Sequence, residues 1–433
     1  MTGPWRRETE VEGVTSRRAF LGMLAVAGAL SGPVRAQAVQ GRVVIVGGGF
    51  GGATCARYLR RLAPDLSVTL VERAPQFVTC PFSNLVLAGL RDMEAITHGF
   101  DGLRSAGVSV IQAEATAIEP DRRALRLADG SRLDYDRLVI SPGIELIWNA
   151  IEGYDAAAAE QMPHAWMAGS QTRLLRRRLE AMDDGGVFVM TIPQTPYRCP
   201  PGPYERASLI AHYLSRHKPR SKILLLDDKD SFSKQGLFQE GWAQLYGDMI
   251  EWLPFRDTGG ILAVDPSAGT VRTEFGTHHA DLANVIPPQR AAALAREAGL
   301  TEDGDWCRVD PRSFESIVVP GVHVLGDAAI AGAMPKSGFS AGTQGMVCAR
   351  AIAAMMADGA PPAPSFANTC YSLLAPDYGI SVADVFRVGP EGEIIAVSGA
   401  GGVSPMGTEA AFRRREAEYA HGWYASITSD IYG

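Results

Sequence analysis

Six cysteines, at positions 55, 80, 199, 307, 348 and 370, are the residues of this sequence with the most chemistry available to them. They show no CxxC and no paired Cys/His spacing for zinc or iron–sulfur, and six are too few for a disulfide scaffold in 433 residues. The eight histidines show no metal-ligand grouping, so no metal site is expected. Cys55 and Cys348 sit in helical apolar patterns and read as core; Cys307 takes no assignment. Cys80 reads equally as core or as chemistry, and Cys370 equally as a buried hydrophobe. Cys199 is different, because it stands among prolines in Thr191-Ile-Pro-Gln-Thr-Pro-Tyr-Arg-Cys-Pro-Pro-Gly-Pro203, where packing is a poor reason for a thiol. Glu205 just beyond it is either an acid complementing a helix N-terminus or a proton-transfer group. Trp423 is either an interface aromatic or part of a site.

The elements that position these residues are legible in the chain. Gly47, Gly49 and Gly52 form GxGxxG directly after the apolar run Val43–Val46 and before the helical pattern Ala53–Leu62. In such a turn the first glycine makes the tight bend, the second lets a pyrophosphate approach the backbone, and the third lets helix pack on strand. Phosphate charge then meets the positive helix N-terminus. Glu72 closes the strand Ser67–Val71 twenty residues after Gly52, where an acid accepts bonds from ribose hydroxyls. Strand, glycines, helix and acid in register predict a site for an adenine dinucleotide.

Farther on, Ala124–Leu127 and Arg132–Asp134 predict a hairpin turned at Asp129-Gly130, and Arg137–Ser141 the next strand. A second strand–helix–strand unit follows, with Gly186–Ile192, Pro203–Arg216 and Lys222–Asp227. Its turn is the proline run around Cys199. Proline removes backbone N–H donors and Cβ atoms block the approach that glycine permits, so a nicotinamide dinucleotide is not expected there. The strand Val322–Leu325 then ends in Gly326-Asp327, which places Asp327 to bond the ribityl chain of a flavin. The helix Ser340–Met356 offers its N-terminus to negative charge on the flavin ring. The last portion contains a hairpin around Gly389–Gly392 and ends aromatic, as a lid or interface module.

Composition sets the class. With 46% hydrophobic and 21% charged residues the chain is an ordinary globular one, and a net charge of −7 gives no reason to expect nucleic acid as a partner. Ser16-Arg17-Arg18-Ala19-Phe20-Leu21, the apolar run Ala19–Leu30 and Ala36-Gln37-Ala38 are the three regions of a twin-arginine signal, in order. That predicts export to the periplasm of an already folded protein. Removing the signal's five arginines and three glutamates takes the net charge from −7 to −9. No later apolar run reaches membrane length, so no membrane span is expected. The expected organisation is a signal at 1–38, a dinucleotide domain at 39–150 and 286–362, a second such domain lacking its glycine fingerprint at 151–285, and a C-terminal domain at 363–433.

These residues together resemble one family, the flavoprotein subunit of flavocytochrome c sulfide dehydrogenase, and the related flavoprotein of the thiosulfate-oxidising Sox system. The likeness runs through GRVVIVGGGFGGATCARYLR, the TCPFSN around Cys80, PHAWMAGSQT, RCPPGPYERAS, VLGDAAIAGAMPKSGFSA, NTCYSLLAPDYGISVA and the final GWY. It implies an α/β glutathione-reductase-like flavoprotein fold with two dinucleotide-binding-type domains and a small C-terminal interface domain. It implies FAD, bonded covalently through Cys80, and a redox-active disulfide between Cys199 and Cys370. Glu205 then matches an acid near the disulfide and Trp423 an aromatic near the flavin ring. The implied reaction is oxidation of sulfide to sulfane sulfur, with electrons passing to a c-type cytochrome subunit, since this chain has no CxxCH of its own. Proline at position 81 departs from the family, and constrains the backbone beside the implied thioether. A quinone acceptor, and a Sox-type partner with little turnover of its own, are the alternatives.

Overall fold

Short runs of valine, isoleucine and leucine form two parallel sheets, because strands buried on both faces need apolar side chains on both. The structure is a computed structural model that describes residues 41–433 except 303; the signal segment expected at 1–38 lies outside the described residues. The first sheet begins with β1 (Arg42–Val46), passes through the glycine turn into helix α1 (Phe50–Leu62), and returns as β2 (Ser67–Glu72). Strands β3 (Ser109–Gln112) and β4 (Arg137–Ile140) follow. The second sheet takes β5 (Val187–Ile192), helix α2 (Gly202–His217), β6 (Lys222–Asp227), β7 (Ile250–Leu253) and β8 (Leu282–Val285). The chain then rejoins the first sheet as β9 (Val322–Val324) and enters helix α3 (Gly338–Met356).

The first sheet has the order β9-β4-β1-β2-β3 and the second β7-β6-β5-β8, every pairing parallel. In both, the strand order reverses beside the first strand. That is the point where open α/β sheets bind ligands, at the carboxyl ends of the strands. Each sheet carries a three-stranded antiparallel meander. The expected hairpin is part of Ala115–Glu119, Ala124–Leu127 and Arg132–Asp134, and a second meander spans Ile261–His279.

The C-terminal portion holds more regular structure than its sequence suggests. Strands β10 (Ser365–Ala375) and β11 (Tyr378–Val388) form a long antiparallel hairpin with Cys370 opposite Val382, and helix α4 (Ala410–Tyr432) covers it. The expected hairpin around Gly389–Gly392 joins β11 to Ile394–Ala396. Helix α4 follows no simple apolar stripe because it buries residues on several sides. Ala417, Ala420, Tyr424 and Tyr432 pack inward, and so do Arg413 and Glu416, which pair with each other.

Candidate active site

The glycine turn is built as its spacing requires. Gly47 has φ +98°, and a Cβ there would lie 2.3 Å from the Ser141 carbonyl oxygen. A Cβ on Gly52 would lie 2.1 Å from the Gly47 carbonyl oxygen, so this glycine seats α1 against the turn. Gly49 is the N-cap of α1, and a Cβ on it would meet only the Phe77 ring, at 3.4 Å. Protein packing therefore does not demand glycine at 49, and the open backbone there leaves room for a pyrophosphate. The Glu72 carboxylate sits at the end of β2, where it accepts N–H bonds from Gly48 (2.7 Å) and Ala74 (2.9 Å). A carboxylate has about four acceptor positions, which leaves capacity for ribose hydroxyls.

The remaining sequence candidates meet elsewhere. Cys80, Cys199, Glu205, Cys370 and Trp423 all line one cavity, although they come from a loop, the proline turn, α2, β10 and α4. The N-terminus of α3 opens into the same cavity through Ser337, Gly338 and Phe339. Ser337 caps this helix, its hydroxyl accepting the Ser340 N–H at 3.0 Å. Gly338 also abuts Phe50, next to the glycine turn, so turn and cavity adjoin one elongated site. Asp327 stands at its edge: its carboxylate lies 3.9 Å from the Arg198 guanidinium, another lining residue, and burial raises its pKa. Trp423 lies parallel to Phe339, with ring centroids 6.1 Å apart. The segments fit a flavin dinucleotide. The glycine turn suits pyrophosphate, Glu72 ribose, Asp327 the ribityl chain, and the Cys80–Trp423 cavity a planar ring.

Around the cysteines the chemistry is specific. Cys199 takes a left-handed φ of +58°, a strained conformation for a residue with a Cβ, and is held there by its N–H on the Lys336 carbonyl (2.7 Å) and by the Gly202 N–H on its own carbonyl (2.8 Å). Burial pushes its thiol up, and the neighbouring Cys370 and Glu205 add to the shift. Cys370 Sγ accepts the Asn368 amide N–H at 3.3 Å, and Asn368 is itself oriented by the Ser337 (2.6 Å) and Ser340 (3.1 Å) hydroxyls. Both cysteines are free thiols in this structure. Glu205 accepts bonds from the Leu373 N–H (2.9 Å) and the Asn84 amide (2.8 Å), yet burial outweighs these and raises its pKa. An acid so placed is suited to proton transfer.

The second dinucleotide-type domain has its own acid, Asp227, at the end of β6, in the place Glu72 occupies on β2. There the protein fills the position itself. Asp227 accepts bonds from Tyr204 Oη (2.5 Å), Trp252 Nε1 (2.9 Å) and Lys229 Nζ (2.6 Å), and Tyr204 stacks on Phe232 at 3.6 Å. Protein groups thus take the acceptor positions that the matching acid Glu72 leaves open.

Asn84, Trp166 and Arg206 line the cavity, and Lys234 and Asn368 adjoin it through their bonds to Cys370; none of the five has a counterpart among the sequence candidates. Arg206 alone carried a sequence signal, as a cation at the head of the apolar run Ala207–Leu214. Asn368 shares a strand face with Cys370 by the two-residue alternation of β10. Among the described residues no group of three or more His, Cys, Asp or Glu is arranged to hold a metal ion.

Fold and site define the class: a flavin-binding α/β protein built like the disulfide oxidoreductases, with three cysteines lining one cavity. Residues 41–172 match the pyridine nucleotide-disulphide oxidoreductase family. Residues 172–287 match the central domain of the sulfide dehydrogenase [flavocytochrome c] flavoprotein chain, and residues 362–432 the flavin-binding domain of flavocytochrome c sulphide dehydrogenase. The flavoprotein chain of that name from Chlorobaculum thiosulfatiphilum is 71% identical over 45 residues, covering 10% of this chain and 94% of that sequence. The protein belongs to the flavocytochrome c sulfide dehydrogenase flavoprotein family. The mitochondrial sulfide:quinone oxidoreductase of Mus musculus is 23% identical over 298 residues, and the chain spans 65% of its length while 66% of this chain is matched. The X-ray structure of sulfide:quinone oxidoreductase from Aquifex aeolicus shares the fold, with a TM-score of 0.70 at 18% identity over 90% of this chain and 92% of that one.

Proposed function

We propose that this protein is a periplasmic FAD-dependent sulfide dehydrogenase that oxidises sulfide to sulfane sulfur and passes the electrons to a c-type cytochrome subunit. The observation that carries the reading is the convergence of Cys199, Cys370 and Glu205 on one cavity beside Cys80 and the α3 N-terminus. The family match supports sulfide as donor, and the cytochrome is the partner implied by the name of the Chlorobaculum relative. The Ser16-Arg17-Arg18 pattern supports export by the twin-arginine route.

In this reading Cys199 and Cys370 form a disulfide in the oxidised enzyme. Hydrosulfide attacks one sulfur; the S–S bond breaks as the new one forms, giving a cysteine persulfide and a cysteine thiolate. Atoms and charge balance, with one anion entering and one thiolate produced. Glu205 takes the proton when hydrogen sulfide enters neutral. The Asn368 amide at 3.3 Å from Cys370 Sγ stabilises negative charge on that sulfur. Bound FAD supplies a two-electron acceptor that releases electrons one at a time. Gly47, Gly49, Gly52, Glu72 and Asp327 hold it, Cys80 tethers it, and Trp423 with Phe339 shields the cavity from water.

The likeness to sulfide:quinone oxidoreductases favours a second reading, with quinone as acceptor. Among the described residues no helix is long and apolar enough to cross a membrane. The test is anaerobic addition of sulfide to the purified flavoprotein with cytochrome c or with decylubiquinone. Flavin bleaching followed by haem reduction faster than quinone reduction is expected; the reverse order replaces the acceptor. Flavin that sulfide does not bleach overturns the dehydrogenase reading, and stimulation of a Sox system with no turnover then marks a docking partner. Acid precipitation tests the tether: yellow colour is expected to stay with the protein and to leave it in Cys80→Ala.

A further inference from the structure

Two cations are buried around the cysteine pair without a carboxylate bonded to either. Arg206 is 2% exposed and lines the cavity. Its guanidinium donates only to neutral acceptors: the side-chain oxygens of Asn84 (3.1 Å) and Asn284 (2.9 Å), and the carbonyls of His164 (3.0 Å) and Ala165 (2.7 Å). Its face lies over the Trp166 ring, 4.9 Å from the centroid. Lys234 is 8% exposed, and its ammonium donates to the Cys370 carbonyl (2.9 Å) and the Ser372 hydroxyl (2.8 Å). Arg198, which lines the cavity with Arg206, is compensated by Asp327 at 3.9 Å.

Buried charges are ordinarily paired, since removing an ion from water costs several kcal/mol. The charged and titratable groups facing Arg206 are Glu205, Arg198, Cys80, Cys199 and His164. Those facing Lys234 are Cys370, Glu205, Cys199 and Glu416. Glu416 is already bonded by Arg413 (3.4 Å) and by the Ser381 (2.7 Å) and Ser404 hydroxyls. Burial holds His164 neutral, with a pKa of about 3. That leaves Glu205 as the one carboxylate for two cations, so even with Glu205 ionised the cluster keeps a positive charge.

We propose that Arg206 and Lys234 make the cysteine cavity selective for anionic sulfur nucleophiles, hydrosulfide in preference to neutral hydrogen sulfide. The substrate assignment rests on the dehydrogenase reading above; the anion selectivity is a property of the residues themselves. Disulfide cleavage by hydrosulfide exchanges one anion for one thiolate, so the same two cations neutralise the reactant and the product without rearranging. A site preorganised in this way spends no free energy on reorientation during the step. Arg206 and Lys234 act as selectivity residues, since it is the sulfur atoms that react.

The test uses the purified holoprotein after reduction of its disulfides. The rates at which iodoacetate and iodoacetamide alkylate Cys199 and Cys370 are read by mass spectrometry. Both reagents attack the same thiolate, and they differ in charge. The iodoacetate-to-iodoacetamide ratio is expected to exceed that of free cysteine by about 10-fold or more, the size of one charge-assisted contact. It should fall toward the free-cysteine value in Arg206→Met and in Lys234→Met and stay high in Arg206→Lys. In steady-state oxidation of sulfide, Arg206→Met should raise KM about 10- to 100-fold with kcat little changed, the signature of lost ground-state binding. A wild-type ratio equal to that of free cysteine overturns the proposal, and does so even if no variant folds. Equal ratios in wild type and Arg206→Met overturn the part assigned to Arg206. A high wild-type ratio in a protein that sulfide does not reduce rejects the dehydrogenase reading while upholding anion selectivity.

Discussion

Substituting alanine separately at Gly49 and Gly52 distinguishes a glycine required by the fold from one required by a ligand. At Gly52 the new Cβ would sit 2.1 Å from the Gly47 carbonyl oxygen and 3.3 Å from Ile45 Cγ2. Carbon contacts become favourable only at about 3.5 Å, so α1 must move by more than about 1 Å. Overpacking of this kind costs about 1–3 kcal/mol, and alanine in a helix returns about 1 kcal/mol, for a net loss of up to about 2 kcal/mol. At Gly49 the backbone is extended (φ −74°, ψ −174°) and the nearest atoms are those of the Phe77 ring, at 3.4 Å. Alanine is a poorer N-cap by roughly 0.5–1 kcal/mol, and a less flexible unfolded chain offsets about the same amount. Gly49→Ala should therefore leave the stability of the flavin-free protein unchanged to within about 0.5 kcal/mol. It should nevertheless lower flavin occupancy, because its methyl group stands where a pyrophosphate approaches the turn. Protein expressed under riboflavin limitation supplies the flavin-free form for thermal unfolding, and titration with FAD, followed by absorbance, gives the affinity. Equal FAD affinity in Gly49→Ala and wild type would refute the placement of the pyrophosphate. Destabilisation of both flavin-free variants to the same degree would refute the division of labour between the two glycines.

Two further outcomes follow from buried acids. Glu205→Gln turns its amide nitrogen on one of two fixed donors, the Leu373 N–H or the Asn84 amide, whose oxygen takes the Arg206 Nε–H at 3.1 Å. At low pH, where the entering sulfide is neutral hydrogen sulfide, flavin bleaching should slow by about 10²- to 10⁴-fold, and the limb of the pH profile that rises through the elevated Glu205 pKa should vanish; an unaltered profile rejects Glu205 as the proton acceptor. Asp228 has its pKa raised to about 6, chiefly by burial, with Asp227 adding and the Ile261 N–H (3.0 Å) opposing. A raised acid stabilises the fold below its unfolded pKa, near 4, and that stabilisation is lost as pH rises through about 6. Asp228→Asn should accordingly be more stable than wild type at pH 8, by about 1–2 kcal/mol after allowance for partial exposure, and no more stable at pH 4. A difference in Tm that does not change between these pH values rejects this account.

The features legible in the chain are local. The glycine turn, the strand before it and the acid closing β2 lie within thirty-one residues, from Arg42 to Glu72, and their spacing follows from backbone sterics that need no tertiary context. The proline run at the second turn was legible for the same reason, since a missing N–H or an added Cβ acts where it stands. Only the tertiary structure brought Cys80, Cys199 and Cys370 to one cavity, because contacts across 119 and 171 positions depend on how sheets and helices pack and not on spacing along the chain. It also decided the fate of Asp227, an acid in the same register as Glu72 but surrounded by Tyr204, Trp252 and Lys229. Arg206 and Lys234 belong to this second kind. A charged residue in sequence ordinarily implies solvent, and only packing shows that these two are buried without a carboxylate bonded to either. Helix α4 was missed on related grounds: it faces protein on several sides, so its apolar residues follow no single stripe. The glycine turn was written in local backbone geometry, while the electrostatics of the cysteine cavity came from side chains that only the fold assembles.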